Sequence, residues 1–327
     1  LSTGFAGIEA IRRELEDFKD SGKFIVSYGD YYTQGAYYLC SVADSVFLNP
    51  QGSVSLVGLA SQGLFFTGLA EKIGVEHYIF KVGTYKSAVE PFFLKKFSDA
   101  NREQLTSFLG SVWGNLTTAI EKSRNISSDE LDRYLNEGLA MGQASNAVDY
   151  KLADGLRYRY EVENCVKEMA GQDVKGKLKT AGVDKVASIK VKEKDSGNKI
   201  AVLYAEGEIR DDDSSSPFSA DEQVISEEMA NKLRKLKDDD DVKAVVFRVN
   251  SPGGSAYISE QIWKEVVELK AKKPIVVSMG NYAASGGYYI SCAANKIVAE
   301  RTTLTGSIGV FGVVRNFTGT FDKVGVT

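Results

Sequence analysis

The chain is poor in the residues on which most catalytic machinery is built. Its 327 residues contain one histidine, His77. A Ser–His–Asp triad would have to use it, and no carboxylate is obviously placed as its partner. His77 lies in an alternating apolar segment with Val75, Tyr78 and Phe80, so it reads as a strand-edge residue. The three cysteines, Cys40, Cys165 and Cys292, show neither CxxC nor metal-ligand spacing, so no disulfide framework or metal knot is implied. Cys40 and Cys292 fall in apolar helical patterns and are expected to be buried free thiols. No run approaches the roughly 20 apolar residues that a membrane-spanning helix needs. Basic excess is missing too: the net charge is −4, and the Lys175–Lys194 stretch is interleaved with Asp, Gly and Ser. A nucleic-acid partner is therefore not expected. The chain opens at Leu1 rather than Met, inside a helix-start pattern, and is expected to be part of a longer protein.

What the chain does have is an internal repeat. Residues 1–76 lie over 252–327 without a gap at a shift of 251. Phe66-Thr67-Gly68 falls on Phe317-Thr318-Gly319, Tyr37-Tyr38 on Tyr288-Tyr289, and Gly74-Val75 on Gly325-Val326. In this register Gln34 occupies the position of Ser285, and Leu56 that of Ser307. A duplicated unit that differs at a polar, glycine-flanked position suggests that one copy kept a nucleophile and the other lost it.

The second copy shows its elements more clearly. Residues 199–206 and 243–249 are nearly continuous β-branched apolar runs, as expected of buried parallel strands. Between them 222–237 has helical spacing, with Val224, Met229, Leu233 and Leu236 on one face. An amphipathic helix carrying Ile258, Ile262, Val266 and Leu269 follows. Then come a strand from Pro274 to Met279, a loop to Ser285, a short helix from Gly286 to Ala294 and a strand from Lys296 to Ala299. Strands alternating with helices of this length indicate βαβ units around parallel sheets. The expected organisation is an N-terminal repeat with a helical extension (1–169, helical from about 99), a linker (170–198) and a C-terminal repeat (199–327).

Ser285 follows a strand, is flanked by Ala284 and Gly286-Gly287, and opens a helix. Such a hydroxyl is either a nucleophile at a strand-to-helix turn or a serine N-cap before a Gly-Gly turn. Ser251-Pro252-Gly253-Gly254 follows another strand. Its glycines either turn backbone N–H groups outward, as an oxyanion hole requires, or form a simple tight turn. Two glycine-rich strand ends in one parallel sheet are more specific than either alone, because ligands bind at the carboxyl ends of such strands. Without a usable histidine, the base for Ser285 would be a lysine. Bringing a lysine from about 10.4 to near 7 takes about 4 kcal/mol of desolvation or like-charge cost. Lys86, set among apolar and hydroxyl residues after a strand, is the best candidate; on local sequence alone a plain surface-loop lysine is the favoured reading.

Four segments, GTYKSAVEPF, RVNSPGGS, YAASGGYYIS and LTGSIGVFG, occur in this order. Together they closely resemble the long, duplicated form of the signal peptide peptidase A (protease IV) family, peptidase family S49 of the ClpP/crotonase superfamily. The resemblance covers essentially the whole chain. It implies two tandem ClpP/crotonase-like α/β repeats and a serine protease with a Ser–Lys dyad split between them. Ser285 would be the nucleophile and Lys86 the general base. Ser307 would hydrogen-bond the lysine, and the N–H groups of Gly254 and Gly286 would form the oxyanion hole. The position 251 beyond Lys86 is 337, so within this chain only the first copy supplies that lysine. No metal or organic cofactor is implied. The expected partners are signal-peptide remnants as substrates, copies of the chain in a homotetramer, and the bacterial cytoplasmic membrane, reached through a segment outside this chain. The catalytic domain would face the extracytoplasmic side. The competing classes are a non-catalytic membrane scaffold of the same fold and a crotonase-like acyl-CoA enzyme. The latter would need carboxylates, rather than a serine, near the paired glycines, and Ala284-Ser285-Gly286-Gly287 has none.

Overall fold

A computed structural model of the chain describes residues 3–189, 197–211 and 223–326. Helix α1 (Phe5–Asp20), strand β1 (Val26–Tyr32), helix α2 (Gln34–Cys40) and strand β2 (Ser45–Val54) open it. Helix α3 (Thr67–Ile73) and strand β3 (Glu76–Lys81) lead to the long helix α4 (Asp99–Arg124). Then follow α5 (Ser128–Asn136), α6 (Ser145–Asp149), the short strand β4 (Gly155–Leu156), α7 (Arg159–Met169) and α8 (Val183–Ala187). The second copy runs β5 (Lys199–Glu206), β6 (Glu208–Ile209), β7 (Val224–Ile225), α9 (Glu228–Asp238), β8 (Val242–Ser251) and α10 (Ala256–Lys272). It continues with β9 (Ile275–Ala284), α11 (Gly286–Tyr289), β10 (Lys296–Val298), β11 (Leu304–Gly306), β12 (Phe311–Asn316) and α12 (Thr318–Val324). The expected α/β class with parallel sheets is observed.

Two compact units result, and they do not follow the repeat boundaries. One combines residues 3–59 with 113–189, the other 60–112 with 197–326. The first holds a parallel sheet in the order β1-β2-β4. Its core gathers Tyr37, Val46, Leu48 and Leu56 with Leu116, Ile120, Leu131 and Leu152. The helical stretch expected from 99 to 169 is broken at β4: Val46 N–H donates to Asp154 Oδ2 (2.7 Å), and Asp154 N–H to the Val46 carbonyl (2.7 Å). These bonds draw Gly155-Leu156 into the sheet edge instead of a helix. Of the expected linker, 170–198, residues 190–196 lie outside the described residues, and the short α8 within it is exposed throughout.

The second unit is built on a parallel sheet ordered β10-β9-β8-β5, with β11 also paired to β9. Val245, Phe247, Val249, Val277 and Ile275 are fully or almost fully buried against the Ile258, Ile262, Val266 and Leu269 stripe of α10. That stripe forms one face of the helix, and Ser255 caps its start by accepting from Ile258 N–H (3.3 Å). β5 departs from the expected burial: it is the sheet's edge strand, and Ile200, Val202 and Tyr204 are exposed. Val224 is not on a helix face. It pairs with Glu208 in the two-stranded β6–β7 sheet, and the helix begins at Glu228; residue 222 lies outside the described residues. α11 is also shorter than expected: it ends at Tyr289, and beyond it Ser291 N–H and Cys292 N–H both donate to the Tyr288 carbonyl while Ala294 N–H turns back to that of Ser291. Cys292 is consequently exposed, and Cys40 and Cys165 are half-buried; the expected burial of Cys40 and Cys292 does not hold.

Candidate active site

The segment expected to be a loop before Ser285 is strand to its last residue. β9 runs to Ala284 because β11 lies beside it in parallel register, with Leu304 opposite Tyr282 and Gly306 opposite Ala284. The two strands therefore end together, and the next residues, Ser285 and Ser307, emerge side by side. Ser285 N–H donates to the Gly306 carbonyl (2.8 Å). Both serines leave their strands with positive φ, 53° at Ser285 and 52° at Ser307. Left-handed backbone at a non-glycine residue costs of order 1–3 kcal/mol and persists only where its surroundings impose it. Ser285 occupies the cap position of α11, yet its hydroxyl makes no cap hydrogen bond. The N-cap explanation of this serine therefore fails, and its Oγ is directed elsewhere.

It is directed to Lys86. β3 of the first copy pairs antiparallel with β12 of the second, from Glu76 opposite Asn316 to Lys81 opposite Phe311. The chain then turns at Gly83 (φ 88°) and brings Lys86 beneath the β11–β12 connection. Lys86 is 5% exposed, so it is not a surface-loop lysine. Its Nζ lies 3.2 Å from Ser285 Oγ, 3.1 Å from Ser307 Oγ and 2.6 Å from the Ser307 carbonyl oxygen. Phe311 closes one side, with its ring centre 5.9 Å from the amine. All three oxygen partners are neutral. Desolvation therefore acts without a counterion to oppose it, and burial lowers the amine below the usual lysine value.

The glycine turns lie against the same serine. Ile209 N–H donates to the Gly253 carbonyl (2.9 Å), and Ser255 N–H donates to the Ile209 carbonyl (2.7 Å). This bridge uses the groups on either side of Gly254 and leaves the Gly254 N–H out of the ladder. Gly253 and Gly254 have φ of 102° and 148°, and a Cβ on Gly254 would stand 2.1 Å from the Ile209 carbonyl oxygen. A Cβ on Gly253 would stand 2.6 Å from Gly286 N, so the two glycine turns are in close contact. Only glycine permits this approach. A cleft of about 650 Å³ opens here, lined by Lys86, Gly253, Gly254, Ser285 and Ser307.

Glu208, Arg210 and Gln223 also line the cleft, and the reading of the sequence missed them. For Glu208 and Arg210 the available signal was their place just beyond the carboxyl end of β5, on the binding side of a parallel sheet; Gln223, just before β7, carried none. His77 is not among the lining residues. Its backbone pairs with Arg315, and its ring lies 5.2 Å from that of Phe92. In the first copy the equivalent place is filled. Gln34 Oε1 accepts from Val57 N–H (3.1 Å) and Gly58 N–H (3.0 Å), its Nε2 donates to the Gly58 carbonyl (3.3 Å), and Leu56 is buried. Among the described residues no cluster of three or more His, Cys, Asp or Glu could hold a metal, and no helix is long and apolar enough to cross a membrane.

Fold and site define an α/β protein with a buried lysine and two serines converging at the carboxyl ends of a parallel sheet. The model of peptidase family S49 matches residues 17–173 and 267–327. The chain belongs to peptidase family S49. Protease 4 of Haemophilus influenzae is 38% identical over 98% of this chain and 53% of its own length. Protease 4 of Salmonella typhi is 40% identical over 97% of this chain and 51% of its own length. The chloroplastic serine protease SPPA of Arabidopsis thaliana is 34% identical, over 99% of this chain and 48% of its own length. The chain thus spans about half the length of these curated relatives. Among solved structures, a ClpP1 mutant from Listeria monocytogenes is 20% identical over 28% of this chain and 46% of its own, with a TM-score of 0.22.

Proposed function

We propose that this chain carries the active site of a serine endopeptidase working by a Ser–Lys dyad. The observation that carries the proposal is a buried amine 3.2 Å from a serine hydroxyl, with no charged partner. A neutral amine has two N–H donors and one lone pair. The donors are used by the Ser307 carbonyl and Ser307 Oγ, which leaves the lone pair for the Ser285 hydroxyl proton. Lys86 takes that proton as Ser285 Oγ attacks the substrate carbonyl carbon. The tetrahedral oxyanion is held by the Gly254 and Gly286 N–H groups. Lys86 then returns the proton to the leaving nitrogen as the C–N bond breaks. In the second half-reaction Lys86 deprotonates a water, which attacks the acyl-enzyme, and Ser285 recovers its proton.

The substrates are signal-peptide remnants in the bacterial cytoplasmic membrane, reached from the extracytoplasmic side by a protein anchored through a segment outside this chain. The working assembly is a homotetramer. Homology to proteins named Protease 4 and serine protease SPPA supports the peptidase reading; the four shared motifs support the substrate and assembly. One observation bears on the acyl-CoA alternative: Glu208, an acidic residue, lines the same cleft as Gly253 and Gly254.

Fluorophosphonate labelling of the full-length protein between about pH 6 and 10 tests the proposal. Labelling should be present in the parent, absent in Ser285→Ala and lost by at least about 10³-fold in Lys86→Ala. An unlabelled, correctly assembled parent would leave the scaffold, and acyl-CoA turnover in such a protein would favour the crotonase-like enzyme.

A further inference from the structure

The segment that carries Lys86 also carries a carboxylate with no part in the chemistry above. Glu90 is 1% exposed. Its Oε1 accepts from Ser98 Oγ (2.5 Å), and its Oε2 accepts from Ser98 N–H (3.2 Å) and Asn101 Nδ2 (2.9 Å). Asn101, on the first turn of α4, is 7% exposed. Its Oδ1 accepts from Ser87 Oγ (3.0 Å) and from Gln104 Nε2 (2.9 Å), while Gln104 Nε2 also donates to Ser87 Oγ (2.6 Å). Ser87 is the residue next to the lysine.

The direction of these bonds is dictated by valence. An ionised carboxylate only accepts, so it fixes the NH₂ side of Asn101 toward Glu90 and its carbonyl oxygen toward Ser87. Although burial pushes the Glu90 carboxyl up, the donors from Ser98 and Asn101, with the charge of Lys81, hold it below the usual carboxylate range. The backbone between is tied as well: Ser87 N–H donates to the Tyr85 carbonyl and Glu90 N–H to the Ser87 carbonyl, both at 3.0 Å. Burying a carboxylate is costly, and an apolar side chain would anchor a loop at less expense. A polar chain running from Glu90 to the neighbour of Lys86 has a use where the lysine's place is critical. Lysine has a flexible four-carbon stem, and misplacing a reacting group by about 1 Å costs on the order of 10²-fold in rate.

We propose that Glu90 is a positioning residue which, through Asn101 and Ser87, holds the Lys86 amine against Ser285. The proposal rests on Lys86 being the base.

The test is the rate of fluorophosphonate labelling at Ser285 in the full-length protein, with kcat and KM for a peptide substrate. Glu90→Gln keeps the shape but can donate as well as accept, so the orientation of Asn101 is no longer enforced. The expected result is a fall of about 10- to 100-fold in labelling rate and in kcat, with KM within about twofold of the parent. Asn101→Ala should show a similar loss, and the double variant little more than either alone. Labelling within about twofold of the parent, a loss confined to KM, or losses that multiply would overturn the proposal. Should Glu90→Gln fail to fold, half-buried Ser87→Ala decides by the same criteria. An unlabelled parent, or normal labelling in Lys86→Ala, would instead sink the assignment of the base.

Discussion

At the scale of single residues, the proposed mechanism makes Lys86 a link between activity and stability. A lysine whose value is lowered by folding opposes folding wherever the unfolded chain holds the extra proton. That cost is complete below the folded-state value and disappears as pH rises through the ordinary lysine value of about 10.4. Lys86→Met should therefore abolish labelling and raise the melting temperature. The gain should be full below the lowered value and vanish towards about pH 10.4, and thermal unfolding of both proteins across that range checks it. In the parent, labelling should rise with pH through the lowered value, since only the neutral amine takes the Ser285 proton. Ser285 carries a second cost, its φ of 53° and ψ of −117°. Ser285→Gly and Ser285→Ala both remove the hydroxyl, but only glycine accepts this backbone freely. Calorimetry should find the glycine variant more stable than the alanine variant by about 1–3 kcal/mol.

At the scale of elements, the two copies show how one framework is used in two ways. In the second copy the loop after β11 turns toward Lys86. In the first, the equivalent loop is closed by the Gln34 side chain, which satisfies both N–H groups and the carbonyl of the 57–58 turn. Gln34→Ala should destabilise the protein by about 0.5–1.5 kcal/mol, because Val57 is exposed and water partly replaces the lost bonds. Ser285 labelling should be unchanged, as denaturant melts beside labelling rates would show. The sequence alignment of the two copies exposed the exchange of Ser285 for Gln34 and of Ser307 for Leu56, but not that Gln34 is a clamp. A clamp depends on a loop 24 residues away, and nothing local in the sequence marks that distance as short.

At the scale of the whole chain, the proposed mechanism places one nucleophile, Ser285, among these 327 residues. One fluorophosphonate should be incorporated within residues 1–327, at Ser285. His77→Ala should retain labelling within about twofold, because its ring packs on Phe92 away from the cleft; mass spectrometry of the labelled protein reads both. Much of this was legible in the sequence. Hydrophobic runs and helical stripes are set by chain-local periodicity, so β5, β8, α10 and the repeat itself followed directly. So did the candidacy of Ser285, Lys86 and the two glycine turns. Burial and pairing were not local. β5 reads as an interior strand and is an edge, Cys292 reads as buried and is exposed, and Val224 reads as helical and is a strand residue. For β5 and Val224 the strand pairing that decided the outcome lies elsewhere in the chain, and Cys292 lies past the end of a helix shorter than its apolar pattern. The same holds at the site. Sequence determined which groups could carry chemistry. Only the pairing of β3 with β12 and of β11 with β9 decided that an amine 199 residues from Ser285 stands 3.2 Å from its hydroxyl. A lysine's usefulness as a base lies in its desolvation and its neighbours, and both are properties of the folded surroundings rather than of the residue.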